Sequence, residues 1–299
     1  MQKVLIIGAN GFLGSKLIYY IQNENYSHKY IPIAADIQNN TIPKEIDFKR
    51  IDITNKENTI KTIKEINPST VILTAAYTNV DKCEDEKKLA HDLNVLGPEN
   101  VSLGCKKVNS KLISLSTDFV FDGRKGNYSE IDEPKPLSYY AKTKLEGEKR
   151  IIKTGVDYII CRTAVLYGWY SYRQNFITWI LNNLENGNKI NIITDQINSP
   201  TLANNLAEIL LHLIDYNKSE IIHTTGDCAL SRYEIAVKCA EIFNFSKNLI
   251  HPINFFKQKA IRPKNASLNI SKLKKILGNK LKVLDLDEGL NFMKEHKDL

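Results

Sequence analysis

The chain opens MQKVLIIGANGFLG, a continuous apolar run that passes directly into three spaced glycines, Gly8, Gly11 and Gly14. A run of Val, Leu and Ile without polar alternation suits a strand covered on both faces, the condition of a parallel sheet. The glycines allow a tight turn, and the residues from Phe12 to about Asn23 read as a helix. A strand, a glycine turn and a helix in that order commit the chain to return by a right-handed crossover to a parallel neighbour. The first half keeps that rhythm. "KYIPIAAD" (its start weakened by Pro32), "FKRIDIT", "STVILTAA", "KLISLST" and "VDYIICRT" are successive strand candidates. Between them lie "NKENTIKTIKEIN", stopped by Pro68, a long helical stretch from about Glu86, and a helix around Tyr140. The alternation implies an α/β fold with a doubly wound parallel sheet.

After about Gly168 the rhythm changes. "LANNLAEILLHLI" carries a stripe of Leu202, Leu206, Leu210 and Leu213 or Ile214, and "RYEIAVKCAEIF" repeats it with Ile235, Cys239 and Ile242. Such stripes face a core rather than a ligand. With short strands such as "KINII" and "EIIHT" between the helices, residues 169–299 read as a smaller α/β lobe over the carboxyl edge of the sheet. Residues 1–168 form the dinucleotide-binding part, and the chain can cross between the two lobes.

Composition excludes more than it suggests. The 299 residues are 42% hydrophobic and 25% charged, ordinary for a globular chain, and no apolar run approaches the roughly 20 residues that span a bilayer. The start lacks a signal-peptide cleavage region, so the cytoplasm is the expected compartment. The five cysteines (Cys83, Cys105, Cys161, Cys228, Cys239) show no C-x-x-C pattern and read as free thiols. No close His/Cys cluster offers a transition-metal site. Of the net charge of +7, nine Lys or Arg lie between Lys257 and Lys282 without an acidic residue, which reads first as a solvated basic surface. Nothing favours a nucleic-acid partner over a small phosphate ligand.

The glycine loop is the candidate cofactor end. Its spacing is G-x-x-G-x-x-G, and the helix that follows brings unpaired N–H groups and partial positive charge to a pyrophosphate. Asp36 closes the second strand, where a carboxylate can accept from the adenosine ribose hydroxyls and would repel a 2′-phosphate. No Arg or Lys follows it in "ADIQNN", which favours NADH over NADPH. Asp52 and Ile53 end the third strand and can hold the adenine; Ala75 and Ala76 end the fourth and leave room for the cofactor to pass.

The candidate chemistry lies in "PLSYYAKTKLEGEKR". Residues four apart share a helix face, so Tyr140 pairs with Lys144 while Tyr139 meets Thr143. This is the only Tyr–Lys pair at that spacing in the chain. Reduction of a carbonyl needs a proton for the developing alkoxide, and an ammonium near a phenol favours its ionised form. Lys144 can do this while also holding cofactor ribose hydroxyls. A hydroxyl at the end of "KLISLST", Ser116 or Thr117, can donate to the carbonyl oxygen.

The glycine loop, "TAAYTNVDKCE", "LNVLGPEN", "STDFVFDG" and "YYAKTKLEGE" together resemble an extended short-chain dehydrogenase/reductase. Within that group they resemble the dTDP-4-dehydrorhamnose reductases, and "CRTAVLYG", "DQINSPT" and "IRPKNASLNISKL" extend the likeness over nearly the whole chain. The resemblance implies a Rossmann fold and NAD(P)H-dependent reduction of a nucleotide-linked 4-keto-6-deoxy sugar. It implies a catalytic trio of Thr117, Tyr140 and Lys144, with Tyr140 delivering the proton. By the same likeness the cofactor contacts are Gly11, Phe12, Leu13, Asp36, Asp52, Ile53, Ala75, Ala76, Tyr77, Tyr140 and Lys144. Asp118 matches a substrate contact, and Arg262 can grip phosphate oxygens bidentately. It also brings homodimers, assisted by magnesium in some members. Two positions depart from the pattern: Val165 and Arg232 stand where many members carry Trp.

A second family resembles "STDFVFDG", "KTKLEGEK" and "RPKNASL" as closely: the regulatory β subunit of methionine adenosyltransferase, which implies a binding role toward that partner. A dehydratase of the same superfamily needs a further acid–base pair, often a neighbouring Asp–Glu; here Phe119 follows Asp118.

Overall fold

Strand β1 (Gln2–Ile7) sits at the middle of the fold, with Leu5, Ile6 and Ile7 essentially inaccessible to solvent. Burial of side chains of this size is worth about 1.5–3 kcal/mol each, and an apolar residue at every position from Val4 to Ile7 requires protein on both faces. The computed structural model describes residues 1–23, 26–255 and 257–297. From β1 the chain runs through α1 (Phe12–Asn23), β2 (Tyr30–Asp36), β3 (Asp47–Arg50), α2 (Lys56–Ile66) and β4 (Thr70–Leu73). Next come α3 (Lys87–His91), α4 (Gly97–Lys107), β5 (Lys111–Thr117), α5 (Tyr139–Thr154) and β6 (Tyr158–Thr163).

The second half supplies β7 (Leu166–Tyr167), α6 (Phe176–Glu185), β8 (Ile190–Ile193), β9 (Ile197–Asn198), β10 (Thr201–Leu202) and α7 (Ala203–Leu213). It continues with β11 (Glu220–His223), β12 (Leu230–Ser231), α8 (Arg232–Phe243), β13 (Ile250–Ile253), α9 (Ser271–Leu277) and α10 (Leu286–Glu295).

Seven parallel strands form the central sheet in the order β11-β6-β5-β4-β1-β2-β3. The order reverses between β1 and β4, the place where an open α/β sheet leaves a crevice at its carboxyl ends. Helices α2, α4 and α5 cover one face. Helices α1, α7 and α9 cover the other.

Two elements expected in the second lobe return to the sheet. The stripe of α7 packs on α1, and "EIIHT" becomes β11, the edge strand beside β6. The cause is the exposed edge of β6, which an apolar strand covers; pattern alone does not say which sheet a strand joins. The second lobe keeps its own core of Ile177, Leu181, Ile235, Cys239 and Leu290, around α6, α8 and α10. Its strands are short pairs, β13 with β8, β12 with β9 and β10 with β7.

Helix α5 is framed by local rules. Ser138 caps it, accepting from the Ala141 N–H at 3.3 Å, and Gly155 ends it at φ 69°, a left-handed position suited to glycine. Inside it, Gly147 allows close approach: a Cβ there would lie 2.2 Å from the Asn94 carbonyl oxygen. No described helix is long and apolar enough to cross a membrane. Among the described residues no group of His, Cys, Asp and Glu could hold a metal ion.

Candidate active site

A cleft of about 880 Å³ opens at the carboxyl ends of the strands, between the sheet and the second lobe. At one end lies the glycine loop. Gly8 has φ +92°, and a Cβ on it would meet Thr74 Oγ1 and the Ala75 nitrogen at 2.6 Å, so the loop fits against β4 only as glycine. Gly11, Phe12 and Leu13 line the cleft at the start of α1, whose first turn carries no acidic residue. Gly14 lies outside the lining; a Cβ there would come within 2.2 Å of the Gly8 oxygen, so its part is to close the turn.

Asp36 faces the same end. Its carboxylate accepts the Asn10 N–H at 3.0 Å and the Ile37 N–H at 2.8 Å, which fixes its orientation. Asn10 was not singled out in the sequence, yet it ties the glycine loop to the turn after β2 by donating to the Gln38 carbonyl and accepting from Asn40 and Thr41. Asp52, Ile53, Ala75 and Ala76 also line the cleft. Behind Ile53, the Asn100 amide donates to its carbonyl at 2.9 Å. Tyr77 is not in the lining: its hydroxyl binds Glu86. Its backbone is clamped by Asn94, which accepts its N–H at 2.9 Å and donates to its carbonyl at 3.0 Å. Asn94 belongs to a turn of π-helix (Asp92–Leu96) and is 1% exposed, and the sequence signal for it was "LNVLGPEN".

Thr117, Asp118, Tyr140 and Lys144 meet midway along the cleft, all buried in the sheet and α5. The Tyr140 phenol feels the Thr117 side chain, which favours its ionised form. Thr117 Oγ1 in turn donates to Asp118 Oδ1 at 3.1 Å, and Asn198 of the second lobe donates to Asp118 Oδ2 at 3.3 Å. Both hydroxyls left open in the sequence line the cleft, with Ser116 Oγ donating to Glu148 and Thr117 Oγ1 to Asp118. Glu148 also holds Arg162 through two bonds, 3.0 and 2.7 Å, in an ion pair with both side chains 3% exposed or less. This pair is the floor under the site.

Burial pushes the Tyr140 phenol well above its ordinary range; Thr117 opposes the shift, while Asp118 and Cys83 add to it. Lys144 is not among the groups acting on it, contrary to expectation. The ammonium turns to the Leu115 carbonyl at 2.7 Å, and burial pulls it down to about 8 against the pull of Glu148. The phenol is therefore held protonated at neutral pH. Burial likewise pushes Asp118 up to about 7, although Thr117, Asn198 and Arg232 favour its charged form.

Arg262 does not reach the cleft lining. Its guanidinium is bound to both oxygens of Asp81, at 3.1 and 2.9 Å. That carboxylate lies far away in sequence, which is why the pairing was not legible there. Val165 does line the cleft, at φ 37°, a conformation rare for a β-branched residue.

The model of the RmlD substrate binding domain matches residues 1–290. The chain belongs to this family. A relative named dTDP-4-dehydrorhamnose reductase, from Aggregatibacter actinomycetemcomitans, is 31% identical over 93% of this chain and 94% of its own. The crystal structure of dTDP-4-dehydrorhamnose reductase from Bacillus anthracis in complex with NADP superimposes with a TM-score of 0.87 at 30% identity, covering 99% of each chain. Methionine adenosyltransferase 2 subunit beta from Rattus norvegicus is 29% identical over 91% of this chain and 81% of its own. Within the RmlD substrate binding domain family, the chain is an NAD(P)H-dependent, dTDP-4-dehydrorhamnose reductase-like oxidoreductase.

Proposed function

We propose that this protein reduces the C4 keto group of a nucleotide-linked 4-keto-6-deoxyhexose, dTDP-4-dehydro-L-rhamnose to dTDP-L-rhamnose, at the expense of NADH or NADPH. One observation carries the reading: Tyr140, Thr117 and Lys144 are buried together in the cleft that also holds the glycine loop. The cradle fits a dinucleotide by its Cβ-free turn, the orphan N–H groups at the start of α1 and the oriented Asp36 carboxylate. Gly11, Phe12, Leu13, Asp36, Asp52, Ile53, Ala75 and Ala76 would hold the cofactor, with Gly8 and Gly14 shaping the turn and the backbone of Tyr77 its edge. When bound, the nicotinamide supplies a hydride to carbon.

The chain's own residues deal with the oxygen. As the carbonyl electron pair moves onto oxygen, Tyr140 gives it the phenolic proton. Thr117 lines the cleft with the phenol, and turning its one O–H from Asp118 to the substrate would let it help to polarise the carbonyl. Lys144, anchored on the Leu115 carbonyl in the same cleft, would hold the ribose hydroxyls of a bound cofactor. Asp118 orients Thr117 and borders the sugar. The walls of β4, β5 and α5 keep bulk water from these groups, since each is less than one-tenth exposed.

Asp36 supports NADH, because its carboxylate would repel a 2′-phosphate. The test is consumption of reduced cofactor by the purified chain with dTDP-4-dehydro-L-rhamnose, compared between NADH and NADPH. No turnover with any 4-keto sugar nucleotide, together with co-purification with a methionine adenosyltransferase, would replace this reading by the regulatory one.

A further inference from the structure

A cation set into the inner wall of the cleft is left without a hydrogen-bonded or ion-paired partner among the described residues. Arg232 is the first residue of α8, and its guanidinium carbon lies 4.4 Å from the centroid of the Phe176 ring, at the start of α6. Both residues line the cleft. Among the described residues, no hydrogen-bond or ion-pair partner reaches the Arg232 side chain. Of the other guanidiniums near the site, Arg162 is occupied by Glu148 and Arg262 by Asp81, while Arg173 lies exposed to solvent at the rim.

Two charged groups act on Arg232 from the surrounding elements. Asp118 attracts it from the end of β5, and Arg262 repels it. Asp118 offers only partial neutralisation, because both its oxygens are engaged by Thr117 and Asn198. Burial pulls the guanidinium down to about 10, against the attraction of Asp118. The guanidinium is half-buried, and a partly desolvated cation facing a cleft without an opposite charge is where a ligand can supply the missing charge. The Phe176 ring covers one side of the guanidinium at 4.4 Å, and the fork's N–H groups remain available for hydrogen bonds.

We propose that Arg232 is a specificity-determining residue that binds an anionic group of the substrate through its planar fork. This rests on the sugar-nucleotide reading above and names the feature of the substrate read at this wall. Two parts of such a molecule carry that chemistry: the diphosphate bridge, and a carboxylate on an acidic sugar.

The experiment measures binding to the full chain by calorimetry, for the wild type, Arg232→Met and Arg232→Lys. The probes are dTDP, thymidine, UDP-glucose and UDP-glucuronic acid. A diphosphate contact predicts that Arg232→Met weakens dTDP and both UDP-sugars by about 10- to 100-fold while thymidine is unmoved. A carboxylate contact predicts that only UDP-glucuronic acid is weakened. Arg232→Lys keeps the charge without the fork and should recover part of the loss. A second measurement needs no variant: phenylglyoxal labelling of Arg232, read by mass spectrometry, should be blocked by the anionic probe and not by thymidine. Equal affinities for wild type and Arg232→Met, with labelling indifferent to every probe, would overturn the proposal while leaving the sugar-nucleotide reading intact. A wild type that binds none of the diphosphates would overturn both.

Discussion

The two ends of the cleft are made of different material. At the glycine loop the wall is largely backbone: a turn that excludes Cβ atoms, the first turn of α1 and the small residues Ala75 and Ala76. At the other end the wall is made of side chains, with Phe176 from α6, Arg232 from α8 and Val165 before β7, brought together by docking of the second lobe. A backbone wall recognises what all nicotinamide dinucleotides share. A side-chain wall can be altered one residue at a time without disturbing the sheet, so selectivity is expected there. Tyr140 stands where the two meet.

Substitutions at the two ends should therefore fail in different ways. Tyr140→Phe removes the proton donor and should lower kcat by about 100- to 10,000-fold with cofactor affinity nearly unchanged, by steady-state kinetics and cofactor titration. Equal loss of cofactor binding would place the phenol in the wrong part of the cleft. Arg162→Met leaves Glu148 buried without its partner and should cost about 3–5 kcal/mol in urea unfolding. Because this pair lies behind Ser116 and outside the cleft lining, a loss of activity without loss of stability would contradict its role as floor. Asp36→Ala, at the backbone end, should shift the NADH/NADPH preference toward NADPH by about tenfold in kcat/KM, equivalent to roughly 1.4 kcal/mol.

Asp118 tests the junction through pH. Its folded value of about 7 lies above the ordinary 3.8, so the unfolded chain gives up this proton first. The stabilising contribution is complete below pH 3.8 and is lost as pH rises to about 7. Asp118→Asn should thus gain stability relative to wild type across that window and hold the gain above it, by melting temperature at each pH. The smallest effect is expected at Val165, where a left-handed backbone under a β-branched side chain costs about 1–2 kcal/mol. Val165→Gly should relieve most of that strain, leaving stability within about 1 kcal/mol of wild type despite the added chain entropy of glycine.

The sequence showed the backbone end almost completely, because its signals are local. An apolar run, three glycines and a helix start within one βα unit can fold in few ways, and Tyr140 and Lys144 share a face by helix geometry alone. Asn94 and Asn10 were harder to see, since each acts by bonding backbone that is distant in the chain. The side-chain end was least legible. Arg262 looked free until the fold brought Asp81 to it, and Arg232 looked like a mere departure until the fold left it alone against Phe176. β11 was visible as a strand, but the sheet it joins was settled by the open edge of β6.

The most direct test of the account follows the hydride. With reduced nicotinamide carrying deuterium at the transferable position, the sugar nucleotide formed from dTDP-4-dehydro-L-rhamnose should gain one deuterium at C4, read by mass spectrometry and NMR. Tyr140→Phe should form little of this product. An unlabelled sugar recovered from the wild type, with the label still on the cofactor, would contradict carbonyl reduction at this site.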